Sequence, residues 1–177
     1  MEILCRSTSQ KGEEAYCLCM LPTGIDDLDG RLIAAMAAAP RAGVLELART
    51  LRVARGTVQA RLDKLQQRGV ITGFGPDLDV AALGYEVLAF ATLEIVQGRL
   101  NDVVDHLRDI PEVLEAHATS GLGDLHCRVV ARTNAHLQTV INRILEVQGI
   151  SRSTTVIALS GQIPYRVLPL VHAAVHR

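Results

Sequence analysis

Seven basic side chains lie in one short stretch of the sequence, residues 41–68, which holds only two acidic ones. The basic residues are Arg41, Arg49, Arg52, Arg55, Arg61, Lys64 and Arg68, and the acidic ones are Glu46 and Asp63. The whole chain has a formal net charge of −1, so the remaining residues are acidic on balance. A local cationic excess in a near-neutral chain predicts a surface that binds a polyanion.

Cysteine and histidine are the other side chains here with reactive or metal-binding chemistry. Cys17 and Cys19 form a close pair, but no second pair or nearby histidine completes a metal-binding set with them. His126 and Cys127 are adjacent on a predicted strand, so they point to opposite faces and do not readily share a metal. We therefore predict thiols without a special role, no metal site and no cofactor. A redox or metal role for the Cys17–Cys19 pair is the alternative.

The composition is that of a folded protein, with 49% hydrophobic and 21% charged residues in a chain of 177. No apolar run approaches the ~18–20 residues that span a membrane. Met1–Tyr16 lacks the basic and then apolar order of a signal peptide. These features predict a cytoplasmic protein that does not use a membrane. Residues 1–24 are interpreted as an N-terminal tail, with Met20 as an alternative start of translation.

Three helices are predicted within residues 25–74, which hold the basic stretch. Apolar spacing places them from the acidic run 26–29 to Pro40, over Val44–Leu51 and over about Ala54–Gln67. The short turn Arg52-Val53 between the last two helices predicts a helix-turn-helix. The strand-like residues 70–74 after the third helix predict a winged type of this motif.

The third predicted helix has one apolar face and one face suited to the major groove of double-stranded DNA. The groove-facing residues are Gly56, Thr57, Gln59 and Ala60. Small residues let the helix approach the base edges, and Gln59 can pair with adenine. The predicted phosphate contacts are Arg41, Arg55, Arg61 and Lys64. Arg61 lies nearer the buried side of the helix, so pairing within the domain is its alternative. Asp63 is expected to accept from a cytosine or to hold a neighbouring arginine; the alternative for the whole helix is an ordinary solvated amphipathic surface.

Residues 86–165 follow a β-α-β-β-α-β order. Strand-like stretches at 87–96, 113–120, 125–131 and 152–159 alternate with helical faces at 100–110 and 137–145. This order predicts an α+β, ferredoxin-like domain with an antiparallel sheet and both helices on one face. Apolar residues on the uncovered face predict dimerisation sheet to sheet. Residues 75–85 are expected to be a linker, and residues 166–177 a C-terminal extension.

Taken together, these motifs resemble the Lrp/AsnC, or feast/famine, family of transcriptional regulators. The resemblance covers roughly residues 25–165. It is carried by Ile25-Asp26-Asp27-Leu28-Asp29-Gly30-Arg31-Leu32-Ile33, Arg41, Glu46-Leu47-Ala48, Thr57-Val58-x-x-Arg61-Leu62-x-x-Leu65 and Gly69-Val70-Ile71-x-Gly73-Phe74. It implies a sequence-specific DNA-binding regulator, not an enzyme, with an ACT-like (RAM) second domain and a homodimer that assembles further, commonly to octamers.

The resemblance also implies a small effector, usually an amino acid, bound between C-terminal domains. The matching effector loop is Ser120, Gly121, Leu122, Gly123 and Asp124, and the matching residue on the last strand is Thr155. Backbone N–H groups near the two glycines can cradle a carboxylate, and Asp124 can receive an ammonium group. A plain β-turn is the alternative for this loop.

Two positions depart from the family pattern. Ala54 stands where the family usually has a serine that starts the third helix, so a cap worth about 1 kcal/mol is expected to be missing. Leu122 and Gly123 stand where the family often has an acidic and an aromatic residue. The smaller side chain is expected to widen the effector pocket or to mean that no effector binds.

Two other functions are compatible with the sequence. Siroheme decarboxylases resemble the same family, and they would use a basic, histidine-bearing pocket, for which this chain offers His117, His126, Arg128 and Arg132. The second alternative is a metabolite-binding module whose helix-turn-helix no longer binds DNA. The basic stretch at residues 41–68 argues against this second alternative.

Overall fold

The computed structural model describes residues 24–175, which form two compact units. The N-terminal tail, with its Cys17–Cys19 pair and Met20, lies outside the described residues. One unit comprises residues up to Gly73 together with the segment from Arg166 onward, and the other comprises Phe74–Tyr165. No helix in the described part of the chain is long and apolar enough to cross a membrane.

The first unit is built on three helices, α1 (Asp27–Ala38), α2 (Val44–Leu51) and α3 (Arg55–Gln67). Their apolar stripes meet in one core that includes Leu32, Leu47, Leu51, Val58, Leu62 and Leu65. The predicted helices are confirmed nearly to the residue, because each carries apolar side chains at helical spacing between clear start and stop signals.

A capping box starts α1. The Asp29 backbone N–H donates to Asp26 Oδ1 at 2.9 Å, and the Asp26 N–H donates to Asp29 Oδ2 at 3.3 Å. At α3 the expected absence of a cap is confirmed, since Ala54 occupies the N-cap position without a side-chain hydrogen bond. Arg52 ends α2 in the left-handed conformation, with φ of 56°, and so forms the tight turn of the helix-turn-helix.

The strand expected at residues 70–74 is not formed, so that element of the prediction is wrong. Val70 and Ile71 instead donate their backbone N–H groups to the carbonyl of Leu65, after Gly69 has turned the chain with φ of +67°. Among residues 24–73 and 166–175 the structure contains no strand that could pair with this segment.

A further helix, α6 (Leu168–Val175), belongs to the first unit and packs on α1. Gly30 is buried at this contact: a Cβ at this position would lie 2.5 Å from Val175 Cγ2. Glycine therefore allows the two helices to approach closely. The sequence left open whether this extension is a strand or a helix.

The second unit has the predicted β-α-β-β-α-β order. Its elements are β1 (Val87–Ile95), α4 (Leu100–Arg108), β2 (Val113–Ala118), β3 (Leu125–Ala131), α5 (Asn134–Ile144) and β4 (Ile150–Ile157). The sheet order is β2-β3-β1-β4 and every pairing is antiparallel. The ferredoxin-like fold is therefore confirmed.

Both helices of the second unit cover one face of the sheet. The core between them includes Ala91, Leu93, Cys127, Val129, Val103 and Val140, all without solvent exposure. Burial raises the pKa of the Cys127 thiol to about 11. His126, the next residue toward the N-terminus, lies on the opposite face, where its ring stacks on Phe90 with centroids 5.6 Å apart.

Candidate functional site

The outward face of α3 is open to solvent, as the sequence predicted. Val58, Leu62 and Leu65 are buried against α1 and α2, which fixes the rotation of the helix about its axis. The opposite side exposes Gly56, Thr57, Gln59 and Ala60. Two of these four positions carry little or no side chain, so the backbone of α3 can come close to a partner surface.

Three of the predicted phosphate contacts flank this face as available cations. Arg41, Arg55 and Lys64 are exposed, and within residues 24–175 they make no ion pair or side-chain hydrogen bond. Arg41 precedes α2, Arg55 is the first residue of α3, and Lys64 lies in the last turns of α3. Uncommitted cations at these points suit the phosphates on either side of a groove.

Arg61 makes the pairing within the domain that was the alternative to a phosphate contact. Its guanidinium donates to Asp26 and, at 2.9 Å, to Asp29 Oδ1, whose side chain is buried. The hydrogen bond from Arg61 lowers the pKa of the Asp26 carboxyl. Arg61 therefore joins α3 to the start of α1, and we leave it out of the DNA-contacting set. The position of Arg61 near the buried side of α3 indicated a pairing within the domain, and the structure supplies its partners from the acidic run 26–29.

Within the described residues, the side chain of Asp63 pairs with Gln59 and not with a neighbouring arginine. Gln59 Nε2 donates to Asp63 Oδ1 at 2.8 Å, across one turn of α3. Both side chains are exposed. Spacing of four residues on a helix brings such a pair together, so this contact was within reach of the sequence.

The loop between β2 and β3 is tightly attached to β1. Asp124 donates its N–H to the Leu93 carbonyl at 2.8 Å, and Asp124 Oδ2 accepts from the Ile95 N–H at 2.6 Å. The pairing of β1 with β4 shifts register between Glu94 and Ile95, so the Asp124 carboxylate satisfies an amide beside this irregularity. One carboxylate oxygen of Asp124 therefore has a structural partner, and the other accepts no hydrogen bond from the described residues.

The tip of this loop offers backbone donors. Within the described residues, no protein acceptor is found for the N–H groups of Gly121, Leu122 and Gly123. Gly121 adopts φ of +141°, which side chains other than glycine rarely allow. A Cβ on Gly123 would lie 2.4 Å from Thr92 Cγ2, so the space beside it is already filled. Gly123 therefore lies directly against β1, and the expectation that a smaller residue widens an effector pocket stays a prediction.

Thr155 does not lie beside the loop in one chain. The loop contacts β1 at Leu93, and the residue of β4 that pairs with Leu93 is Ser153. Thr155 lies two residues further along β4 and pairs with Ala91. Thr155 lines a groove of about 250 Å³ between β4 and α5. The other lining residues are Asn134, Leu137, Gln138, Ile141 and Ile157. The polar residues at the start of α5 were not singled out from the sequence.

The uncovered face of the sheet is apolar at one end and polar at the other. Leu88 and Phe90 are half-buried, and Val156 is 60% exposed. Toward the polar end, Arg128 lies 3.4 Å from Glu115, and His126 Nδ1 lies 3.2 Å from Thr92 Oγ1. Among residues 24–175 no group of three or more histidine, cysteine, aspartate or glutamate side chains could hold a metal ion.

A helix-turn-helix with an exposed, cation-flanked third helix, followed by a ferredoxin-like domain, defines a two-domain DNA-binding transcriptional regulator. The AsnC-type helix-turn-helix domain model matches residues 25–66, and the Lrp/AsnC ligand binding domain model matches residues 88–168. The chain belongs to the Lrp/AsnC family.

Relatives and solved structures agree with this assignment. Regulatory protein AsnC of Escherichia coli strain K12 is 31% identical over 147 residues, which are 82% of this chain and 97% of AsnC. HTH-type transcriptional regulator FL11 of Pyrococcus horikoshii is 27% identical over 146 residues, again 82% of this chain and 97% of the relative. These relatives are regulators, so the alternative of a decarboxylase-like enzyme is set aside.

The solved structure of E. coli AsnC has a TM-score of 0.76 at 31% identity and covers 82% of this chain and 99% of AsnC. The regulator NMB0573 of Neisseria meningitidis, solved as a complex with L-Met, shares the fold with a TM-score of 0.75 at 20% identity. That match covers 84% of this chain and 99% of NMB0573.

Proposed function

We propose that this regulator binds specific DNA sequences through α3, dimerises through the open sheet face and responds to an amino acid. The observation that carries the proposal is the exposed face of α3, with Gln59 between small residues and uncommitted cations at Arg41, Arg55 and Lys64. Gln59 reads a base edge in the major groove, and the three cations hold phosphates.

The test of DNA reading separates these two kinds of contact. A duplex selected from a random library and an unrelated duplex are titrated with the native protein at several salt concentrations. Arg55→Ala weakens binding to both duplexes and reduces the salt slope by about 1, whereas Gln59→Ala mainly lowers the ratio between them. Equal losses on both duplexes from both variants contradict this division of roles, and no binding at low salt favours a metabolite-binding module.

The open face of the sheet supports dimerisation with a second copy. Leu88, Phe90 and Val156 present apolar surface that no element of the same unit covers. Sedimentation of the native protein and of Phe90→Asp tests this interface. We expect a dimer, or the octamer implied by the family resemblance, that dissociates toward monomers in the variant.

The effector proposal uses the loop 120–124 and Thr155 together. Free N–H groups at Gly121 and Gly123 suit an amino acid's carboxylate, and the remaining oxygen of Asp124 suits its ammonium group. Because one chain keeps Thr155 apart from this loop, a site that uses both takes them from two copies. The amino-acid complex of NMB0573 makes an amino acid a reasonable first ligand to test.

The experiment is a thermal-shift screen of the twenty amino acids, followed by DNA titration with any amino acid that stabilises the protein. Asp124→Ala and Thr155→Val each abolish the shift, while Thr139→Ala, on the exposed side of α5, leaves it unchanged. Mixing the two inactive variants restores part of the response, because some interfaces then combine an intact loop with an intact Thr155. Failure of the mixture to respond contradicts a site shared between copies.

A further inference from the structure

We propose that Asp63 is a positioning residue for base recognition, because it fixes which way the amide of Gln59 faces. This inference rests on the proposed contact between Gln59 and a base. In addition to that contact, it assigns to Asp63 the role of determining which way the amide nitrogen and oxygen of Gln59 face.

The contact itself determines the orientation of the amide. Gln59 Nε2 lies 2.8 Å from Asp63 Oδ1. An ionised carboxylate only accepts hydrogen bonds, so the nitrogen of the amide must face Asp63 and the carbonyl oxygen must face away. A glutamine amide without such a neighbour presents its oxygen and nitrogen in either order.

The remaining groups on Gln59 match one base. After one N–H is donated to Asp63, Gln59 keeps a second N–H and its carbonyl oxygen. One donor beside one acceptor is the pattern that pairs with the N7 acceptor and N6 donor of adenine in the major groove. With the order of donor and acceptor fixed, the amide cannot rotate by 180° to form hydrogen bonds with guanine or thymine instead.

The position of Asp63 otherwise works against DNA binding. It is an exposed carboxylate on the outward face of α3, within a stretch that holds seven basic side chains. A negative charge there reduces attraction to phosphates for every sequence. Asp63 therefore has two separable effects: its charge weakens binding to all DNA, and its hydrogen bond sharpens the choice of base.

Two substitutions of Asp63 separate these effects. Asp63→Asn removes the charge and also the fixed direction of the hydrogen bond, because its side-chain amide can either accept from Gln59 or donate to it, whereas Asp63→Glu keeps a charged group that only accepts. The base pair that Gln59 reads is identified first, as the position in the selected duplex at which Gln59→Ala reduces the preference for one base. The four duplexes that differ only at this pair are then titrated with each full-length variant, after circular dichroism shows unchanged helix content.

Asp63→Asn should bind all four duplexes more tightly and should lose about three- to tenfold of the native preference for adenine, part of the discrimination typical of one bidentate base contact. Asp63→Glu should keep both the native affinity and the native preference. If Gln59→Ala relaxes the preference and Asp63→Asn does not, the role of Asp63 is refuted while the contact of Gln59 stands. Equal loss of preference in Asp63→Asn and Asp63→Glu also refutes it. If Gln59→Ala itself changes no preference, both this inference and the proposed base contact fail.

Discussion

Replacing Arg61 by alanine removes the guanidinium that lies between Asp26 and Asp29 at the junction of α1 and α3. Asp29 is 1% exposed, so water cannot replace the lost donor at its carboxylate. Leaving a buried acceptor without its partner costs about 1–3 kcal/mol. The half-exposed Asp26 adds little to this figure, because exposed ion pairs contribute at most about 1 kcal/mol. We therefore expect the free energy of unfolding of the first unit to fall by about 1–3 kcal/mol.

Urea unfolding followed by circular dichroism measures this loss. Lys64→Ala is the matched control, since it removes an exposed cation from the same helix and should change stability by less than about 0.5 kcal/mol. Repeating Arg61→Ala in an Asp29→Asn background should reduce its cost, because a neutral amide is less penalised when its partner is removed.

DNA titrations on the same variants decide between the two roles of Arg61. If it is a phosphate contact, Arg61→Ala reduces the salt slope by about 1 and leaves the urea midpoint unchanged. That result refutes the placement of Arg61 between the two carboxylates. A lower urea midpoint with an unchanged salt slope supports it.

Three further predictions follow from single contacts. Because Arg61 lowers the pKa of Asp26 below its ordinary value of 3.8, the ion pair stabilises the protein at pH values above 3.8, and this contribution is lost as the pH falls through the lowered pKa. Asp26→Asn lacks the contribution, so urea unfolding across this pH range should show a smaller loss of stability on acidification in the variant. Gly30→Ala should lower the free energy of unfolding by about 1 kcal/mol through its clash with Val175. By contrast, Gly56→Ala meets no neighbour and should raise the free energy of unfolding by about 0.5 kcal/mol. A Gly30→Ala variant that is as stable as Gly56→Ala would contradict the packing of α6. Cys127, with its pKa raised to about 11, should resist alkylation at mildly alkaline pH until urea is added. Alkylation of Cys127 itself in the native protein, located by peptide mass, would contradict its burial.

The elements were predictable because each follows from residues near in sequence. The stripe Val58, Leu62 and Leu65 specifies both the extent of α3 and the face it turns inward. The apolar, β-prone run Val87–Ile95 predicts the extent of β1, along which buried residues alternate with half-buried ones. Local patterns of this kind leave few choices for helix and strand positions.

The errors lie where distant residues decide the outcome. Arg61 meets Asp26 and Asp29 only after α1 packs on α3, so spacing within one helix indicated a pairing within the domain but not its partners. Residues 70–74 have the composition of a strand, but a strand needs a partner, which the described part of their unit does not supply. The grouping of Thr155 with the loop 120–124 is of another kind: it came from the family resemblance as a site between C-terminal domains, and it stays a prediction.

The packing of α6 on α1 has a consequence for how the two units depend on each other in folding. The DNA-binding unit closes around residues 74–165 as a loop, since α6 follows that segment in the chain. Within it, β1 pairs with β4, and Ala158 donates to the Leu88 carbonyl at 2.8 Å, so the folded sheet holds the two ends of its own chain together. The folded sheet thereby makes the effective loop roughly four times shorter, which lowers the entropic cost of docking α6 on α1 by about 1 kcal/mol. Loosening of the sheet therefore weakens the attachment of α6, and a fragment that ends at Gly73 lacks the helix that covers Gly30.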